Sequence, residues 1–353
     1  MKLLLARKLL LSVSVLVVLP LLIELVARLF FPEPRVKPSA VPPELGRFDP
    51  FLGWALEPGA REVSYATGNP VEYRINSKGL RDDETSYEKP AGVFRIVIAG
   101  DSTVFGYGVP IEQHFTKLIE GYLKGVEVIN MGISGFGVDQ ELLFLRTEGF
   151  RYQPDLVIAV VEHYGMQRHL NTVRFGKWKP RFVLDGGKLV LTNSPVPETP
   201  PPETRTTRGV LLGWDRWLIQ QSKAYRLLRE WALTRAATAR RPAAEKPAPE
   251  VLPQFGWSRD ELHELAEAIV SAMHEEALQH GSKFLLVTRM ERLHRVMTSR
   301  GVLSLNLSAA LNNPRFIIPG LNHYNESGYG VLAWEIVRFL HAQNLLPGAP
   351  PGK

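Results

Sequence analysis

The sequence predicts an α/β protein built on a mainly parallel sheet and preceded by one membrane-spanning helix. Three observations predict it. Short β-branched runs alternate with longer stretches of helical periodicity. A glycine-led turn directly follows the first of those runs, at Gly100-Asp101-Ser102. The N-terminus holds an almost unbroken apolar stretch.

At 353 residues the chain has room for one large domain or two small ones. An apolar fraction of 45% beside 22% charge is enough to bury a real core. The formal net charge of +6 is spread widely, with a concentration around Arg205–Arg241. No RNP-like, zinc-finger or helix-turn-helix spacing accompanies it, so no nucleic-acid partner is expected. There are no cysteines, which excludes disulfides and thiolate metal sites.

After Lys2, Arg7 and Lys8 the apolar run extends from Leu9 to Ile23 and continues past Glu24 to Phe31. A hydrocarbon core needs about 20 such residues. Pro20 is tolerated in a spanning helix, and Glu24 and Arg28 sit near the far end, within reach of the interface. Pro32-Glu33-Pro34 follows in place of a small-residue cleavage site, favouring an uncleaved anchor over residues 1–31. Residues 32–43, with five prolines, form an extended tether. The expected topology is single-pass in the cell membrane, with everything beyond Pro32 extracytoplasmic.

The globular part spans 44–345, with a short tail at 346–353. Residues 44–92 read as short strands and turns capping a domain, around Phe51–Trp54, Glu72–Asn76 and Lys78–Asp82. Strands are then expected at Arg95–Ala99, Val126–Asn130, Leu156–Val161, Phe284–Thr288 and Arg315–Ile318. Helices are expected at Glu112–Leu123, Asp139–Glu148, Ser258–His280 and Glu326–His341. Alternation of this kind implies a parallel sheet covered on both faces. Its sites form at the carboxyl ends of strands. Gly100, Gly135 and the segment 162–168 all follow such ends.

Residues 172–256 interrupt the rhythm as an insertion. Phe182–Leu191 carries an Asp-Gly hairpin signal, and 195–202 is rich in proline. A basic amphipathic helix is expected over 211–240 with Trp214, Trp217 and Trp231, ahead of a Pro/Ala linker at 243–253. The insertion serves as a substrate lid, a membrane-facing surface or a structural cover.

Ser102 is the candidate nucleophile. A tight turn after Arg95–Ala99 presents its hydroxyl above the sheet, at the start of a helix, with its own amide near a developing oxyanion. Asp and Ser are also ordinary helix-starting residues, so the tripeptide alone reads equally as an N-cap. The histidines at 263, 274, 280 and 294 make no ligand set, and no His-Glu-x-x-His occurs, so no metal is expected. Gly106-Tyr107-Gly108 and Gly135-Phe136-Gly137 lack a third glycine and a following acid, so no dinucleotide cofactor is expected.

Several blocks together resemble the SGNH/GDSL hydrolase superfamily. The first is Gly100-Asp101-Ser102 with Thr103-Val104-Phe105-Gly106. The second is Val128-Ile129-Asn130-Met131-Gly132-Ile133-Ser134-Gly135-Phe136-Gly137, in which Gly135 matches the family's oxyanion glycine. Asn76-Ser77-Lys78-Gly79-Leu80-Arg81-Asp82 is similar to the lead-in of a membrane-anchored bacterial branch. His323-Tyr324-Asn325-Glu326-Ser327-Gly328-Tyr329 resembles the final block, which supplies the catalytic histidine. The resemblance spans about 45–345, apart from the insertion. It implies a three-layer, flavodoxin-like fold and ester chemistry through Ser102 and His323. The oxyanion would be held by the amides of Ser102 and Gly135.

Two positions depart from the family. Its third block carries an oxyanion-hole Asn, but Val161-Glu162-His163-Tyr164-Gly165-Met166-Gln167-Arg168 contains none. Gln167 is the natural substitute and His163 the other candidate. The family also places an Asp two or three residues before the histidine, where Leu321 and Gly320 stand; Asn322 is not an acid. A backbone carbonyl or a distant acid such as Glu162 would then orient the ring. The expected function is a membrane-anchored serine esterase acting on carboxylic esters, including O-acyl groups of a glycan or lipid. The alternatives are an O-acyltransferase and a non-catalytic domain that binds a glycan or protein partner.

Overall fold

A computed structural model describes residues 18–31, 45–64, 70–162, 168–199, 201, 218, 221–239, 251–252, 257–319, 321 and 323–347. The chain divides into two compact units. One comprises residues 1–39, 65–70 and 205–247; the other comprises 40–64, 71–204 and 248–353.

The larger unit is built on five strands: β1 (Phe94–Gly100), β2 (Val126–Gly132), β3 (Leu156–Val161), β4 (Lys283–Thr288) and β5 (Ser304–Asn306). All neighbouring pairs are parallel, in the order β2-β1-β3-β4-β5. That is the order of flavodoxin-like sheets. Every residue of β3 is buried, as are all of β1 but Phe94. This is why these strands read as continuous apolar runs and do not alternate.

The helices that pack around the sheet include α1 (Ser102–Phe105), α2 (Phe115–Tyr122), α3 (Val138–Thr147), α4 (Arg259–Gln279), α5 (Glu291–Ser299) and α6 (Glu326–Ala342). Helix α2 packs on α6, and α3 packs on α4. The chain passes from β1 outward to β2, then back across β1 to β3. Right-handed crossovers therefore put α2 and α3 on opposite faces. The direction reverses between β1 and β3, and a crevice opens at their carboxyl ends.

Residues 46–74 form two antiparallel pairs, Gly46–Asp49 with Gly53–Leu56 and Arg61–Ser64 with Val71–Arg74. The expected hairpin is present as Arg181–Asp185 against Lys188–Thr192, turning through Gly186 and Gly187 at positive φ. Three expectations need correction. Arg315–Ile318 is not a strand: Asn313 accepts a hydrogen bond from the Arg315 amide and starts a short 3-10 turn at Pro314–Phe316. The fifth strand is Ser304–Asn306. The helix expected from Glu112 starts at Phe115, after a separate 3-10 turn at Ile111–Gln113.

In the smaller unit, residues 18–30 are helical and so are Lys223–Ala239. Glu24 caps the second of these helices. Its carboxylate accepts from Ser222 Oγ (2.8 Å) and from the amides of Lys223 (2.9 Å) and Ala224 (3.1 Å). Free N–H groups at a helix start favour such an anion. Trp231 is exposed, while Trp214 and Trp217 lie outside the described residues. Among the described residues no helix is long and apolar enough to cross a membrane. Residues 1–17 of the expected span lie outside the described residues.

Candidate active site

Strand β1 delivers Asp101 and Ser102 into the crevice. Asp101 caps α1, its Oδ1 accepting from the Thr103 amide at 2.9 Å. The one-turn helix that follows packs against the end of β2. A Cβ on Gly132 would lie 2.0 Å from the Phe105 nitrogen, so no larger residue fits that close backbone approach. Ser102 is buried against this turn but keeps an outlet, at 8% exposure.

The turn is also held from outside the sheet. Arg81, fully buried, donates from Nη1 to the Phe105 carbonyl (2.8 Å) and to the Gly106 carbonyl (2.5 Å). Its Nη2 donates to the Val109 carbonyl at 2.7 Å. The next residue, Asp82, accepts from the Asn130 amide at 2.9 Å and pairs with Lys117 at 2.7 Å. The Leu80-Arg81-Asp82 lead-in therefore buttresses both β1's turn and the end of β2. Thr103's carbonyl accepts from the Tyr329 hydroxyl (2.9 Å) and from His114 Nε2 (3.2 Å). Burial, reinforced by nearby Arg81, pushes His114 down to about 3, so this ring is neutral and structural.

His323 comes from the segment before α6. Its backbone carbonyl accepts from the Ile318 amide, and Asn325 caps the helix. The ring lies 5.0 Å from that of Tyr107. His323 Nε2 stands 2.9 Å from Ser102 Oγ. The two residues, 221 positions apart in the chain, form a hydrogen-bonded serine–histidine pair, the contact that a nucleophile and a general base require. Burial lowers the His323 pKa from its ordinary value. The Asp101 carboxylate opposes that fall, and Arg168 adds to it.

The second ring nitrogen, Nδ1, has no hydrogen-bond partner among the described residues. Leu321, where the family carries an acid, is a buried apolar side chain. Glu162 does not take over that role. It is committed to Arg289 Nε (2.8 Å) and to the Tyr324 hydroxyl (2.9 Å), and so holds the residue after His323 and not the ring.

Gly135 sits in the turn after β2, at φ 87, a conformation that favours glycine. Phe175 covers it: a Cβ on Gly135 would lie 2.3 Å from Phe175 Cε2. Gln167 and His163, the expected third oxyanion donors, lie outside the described residues. Arg168 lies beside them, and its Nη1 donates to Asp101 Oδ2 (2.5 Å) and to the Phe136 carbonyl (2.9 Å). Arg81, His114 and Arg168 carry much of the site's geometry, yet the sequence marks only the first, through its motif. Among the described residues no cluster of His, Asp and Glu could hold a metal ion.

No family model matches the chain, and no curated protein matches it. Solved structures do. One is a lipolytic protein of the G-D-S-L family from Veillonella parvula, at 11% identity over 70% of this chain and 99% of its own, with TM-score 0.38. Another is the esterase EstA of a Pseudoalteromonas species, at 11% identity over 71% of this chain and 98% of that one, TM-score 0.38. A variant of Axe2, an acetyl-xylooligosaccharide esterase from Geobacillus, shows 14% identity over 71% and 95%, TM-score 0.37. Of the three, the Veillonella protein carries the G-D-S-L family name.

Proposed function

We propose that the protein is a serine esterase, an acyl hydrolase working through the Ser102–His323 pair. The observation that carries this reading is the 2.9 Å hydrogen bond between Ser102 Oγ and His323 Nε2, at the carboxyl end of β1. Lowered by burial, His323 is neutral at pH 7 and able to accept the Ser102 proton as Oγ attacks an ester carbonyl. The tetrahedral oxyanion is held by the amides of Ser102 and Gly135. Collapse expels the alcohol, which takes the proton from His323, and leaves an acyl-Ser102 ester. A water molecule, deprotonated by the same imidazole, then releases the acid and restores Ser102. Asp101 supplies negative charge to the imidazolium in both steps.

In this reading residues 1–31 anchor the protein in the cell membrane as a single pass, with the sheet domain outside the cytoplasm. An anchored esterase meets esters held at that surface, so O-acyl groups of a glycan or lipid are the natural substrates. Transfer of the acyl group to a second hydroxyl in place of water is the close variant. The test is hydrolysis of a panel of short-chain aryl esters by the full chain in detergent. Turnover that disappears in Ser102→Ala supports the reading; equal inactivity of both proteins across the panel overturns it.

That Nδ1 of His323 has no partner among the described residues favours a second reading, a non-catalytic SGNH-like domain that binds a glycan or protein partner. A fluorophosphonate probe separates the two, because only an activated Ser102 hydroxyl is labelled.

A further inference from the structure

Most charged groups around the Ser102 turn have partners, and Arg81, which makes no ion pair among the described residues, is satisfied by three backbone carbonyls. Asp101 has Arg168, Glu162 has Arg289, and the fully buried Asp139 has Lys179. Glu141, 2% exposed, has an Oε2 without a partner. Burial, with Asp101 and Asp139 nearby and Arg168 opposing them, raises its pKa well above the ordinary carboxylate value and disfavours its charged form. Arg174 is what remains. It makes no ion pair among the described residues, and its buried Nε has no hydrogen-bond partner. The carboxylate acting on it, Asp101, is already held by Arg168, and a partly desolvated guanidinium without a direct partner is costly unless something else provides one.

Its position is built, not incidental. Arg174 and Lys177 face each other across the hairpin Val173–Arg174/Lys177–Trp178. Phe175 (φ 52) and Gly176 (φ 73) make the turn. Such a turn favours Asn-Gly, and a bulky residue in the left-handed region is strained. The surroundings hold it there. Lys179 donates to Asp139, to the Asn171 carbonyl (3.2 Å) and to the Pro180 carbonyl (2.8 Å), and Trp178's carbonyl presses against Gly53. The strained turn lays the Phe175 ring over Gly135 and stacks the Arg174 guanidinium 4.2 Å from that ring's centroid. Phe175 is 41% exposed, so the pair faces solvent at the oxyanion glycine. Burial and the neighbouring Arg168 lower Arg174 to about 10, against the pull of the Asp101 carboxylate, which still leaves it charged at pH 7.

We propose that Arg174, backed by Phe175, is a specificity-determining residue that binds an anionic oxygen group on the substrate, a carboxylate or a phosphate. The inference deepens the esterase reading and rests on it: the ester cleaved at Ser102 is itself negatively charged. A guanidinium fork suits either anion through paired N–H donors.

Calorimetric binding to the full chain carrying Ser102→Ala tests this without relying on turnover. The probes are monomethyl adipate, methyl 5-phosphonopentanoate and the neutral methyl hexanoate. One or both anionic esters are expected to bind at least tenfold tighter than methyl hexanoate. Adding Arg174→Ala removes that preference, while Arg174→Lys retains part of it, at an unchanged thermal midpoint. The two anionic arms tell a carboxylate from a phosphate. No preference for either anion, or a preference that survives Arg174→Ala, overturns the proposal. Arg174-dependent anion binding by a chain that hydrolyses no ester would leave this site standing and remove the esterase reading alone.

Discussion

His323 presents Nε2 to Ser102 Oγ at 2.9 Å, while Nδ1 of the same ring meets no partner among the described residues. The ring is placed, but among the described residues no second hydrogen bond enforces its tautomer. In a serine protease, loss of that control costs about 10⁴ in rate. Because burial lowers the His323 pKa, the acid limb of kcat/KM should have its midpoint below about 6.5, with a plateau at neutral pH. Leu321→Asp restores a carboxylate where the family has one. It should raise the plateau at least tenfold and move the midpoint upward, since an added negative charge favours the imidazolium. A pH–rate series on both proteins checks each expectation.

Arg81 satisfies the carbonyls of Phe105, Gly106 and Val109 from a fully buried position. Arg81→Met keeps most of the stem but leaves all three without that donor. The expected loss is about 3 kcal/mol of stability, read from urea midpoints. A further drop in kcat, larger than any change in KM, should follow under conditions where the variant is folded, because the Ser102 turn shifts.

Gly132→Ala tests the close approach of β2 to α1. The added methyl would meet the Phe105 nitrogen at 2.0 Å, backbone against backbone, so neither side can yield by changing rotamer. Overpacking of this kind costs about 1–3 kcal/mol. Ser102 labelling by a fluorophosphonate should slow strongly, with a smaller effect on the thermal midpoint.

His114 makes the fold acid-sensitive. With a folded pKa of about 3 against an ordinary 6.5, the unfolded chain binds a proton that the folded chain refuses. Its contribution is therefore complete above about pH 6.5 and falls by roughly 1.4 kcal/mol per pH unit below it. Asp82, which burial raises to about 6, works in the opposite sense, so the difference between wild type and His114→Gln is the quantity to follow. Urea unfolding between pH 7 and 4 should show the wild type losing stability more steeply than the variant.

The central strands were legible because Ile96–Ala99, Leu156–Val161 and Phe284–Val287 are unbroken buried runs whose period needs no partner to be seen. Ser304-Leu305-Asn306 is too short and too polar to announce itself, and Phe316-Ile317-Ile318 looks like a strand until Asn313 and Pro314 start a turn. Helix α5 also escaped, since Glu291–Ser299 carries only two buried side chains, Leu293 and Met297. Ser102 and His323 could be named from motif blocks. Arg168 and Arg174 could not, because a charge is read as surface until its counter-charges are located in space. Nor could the cap that Glu24 provides for a helix some 200 residues away be read from the sequence, since that pairing exists only in space.

The three carbonyls held by Arg81 also bear on where the smallest working enzyme begins. Ser102, Gly135 and His323 all lie downstream of residue 93, and the sheet starts at Phe94. A fragment trimmed to that boundary would keep every group assigned to the reaction yet lose the clamp on its nucleophile. The shortest active fragment should therefore start ahead of Asn76, whose side chain receives the amides of Lys78 and Leu80 and shapes the loop that delivers Arg81.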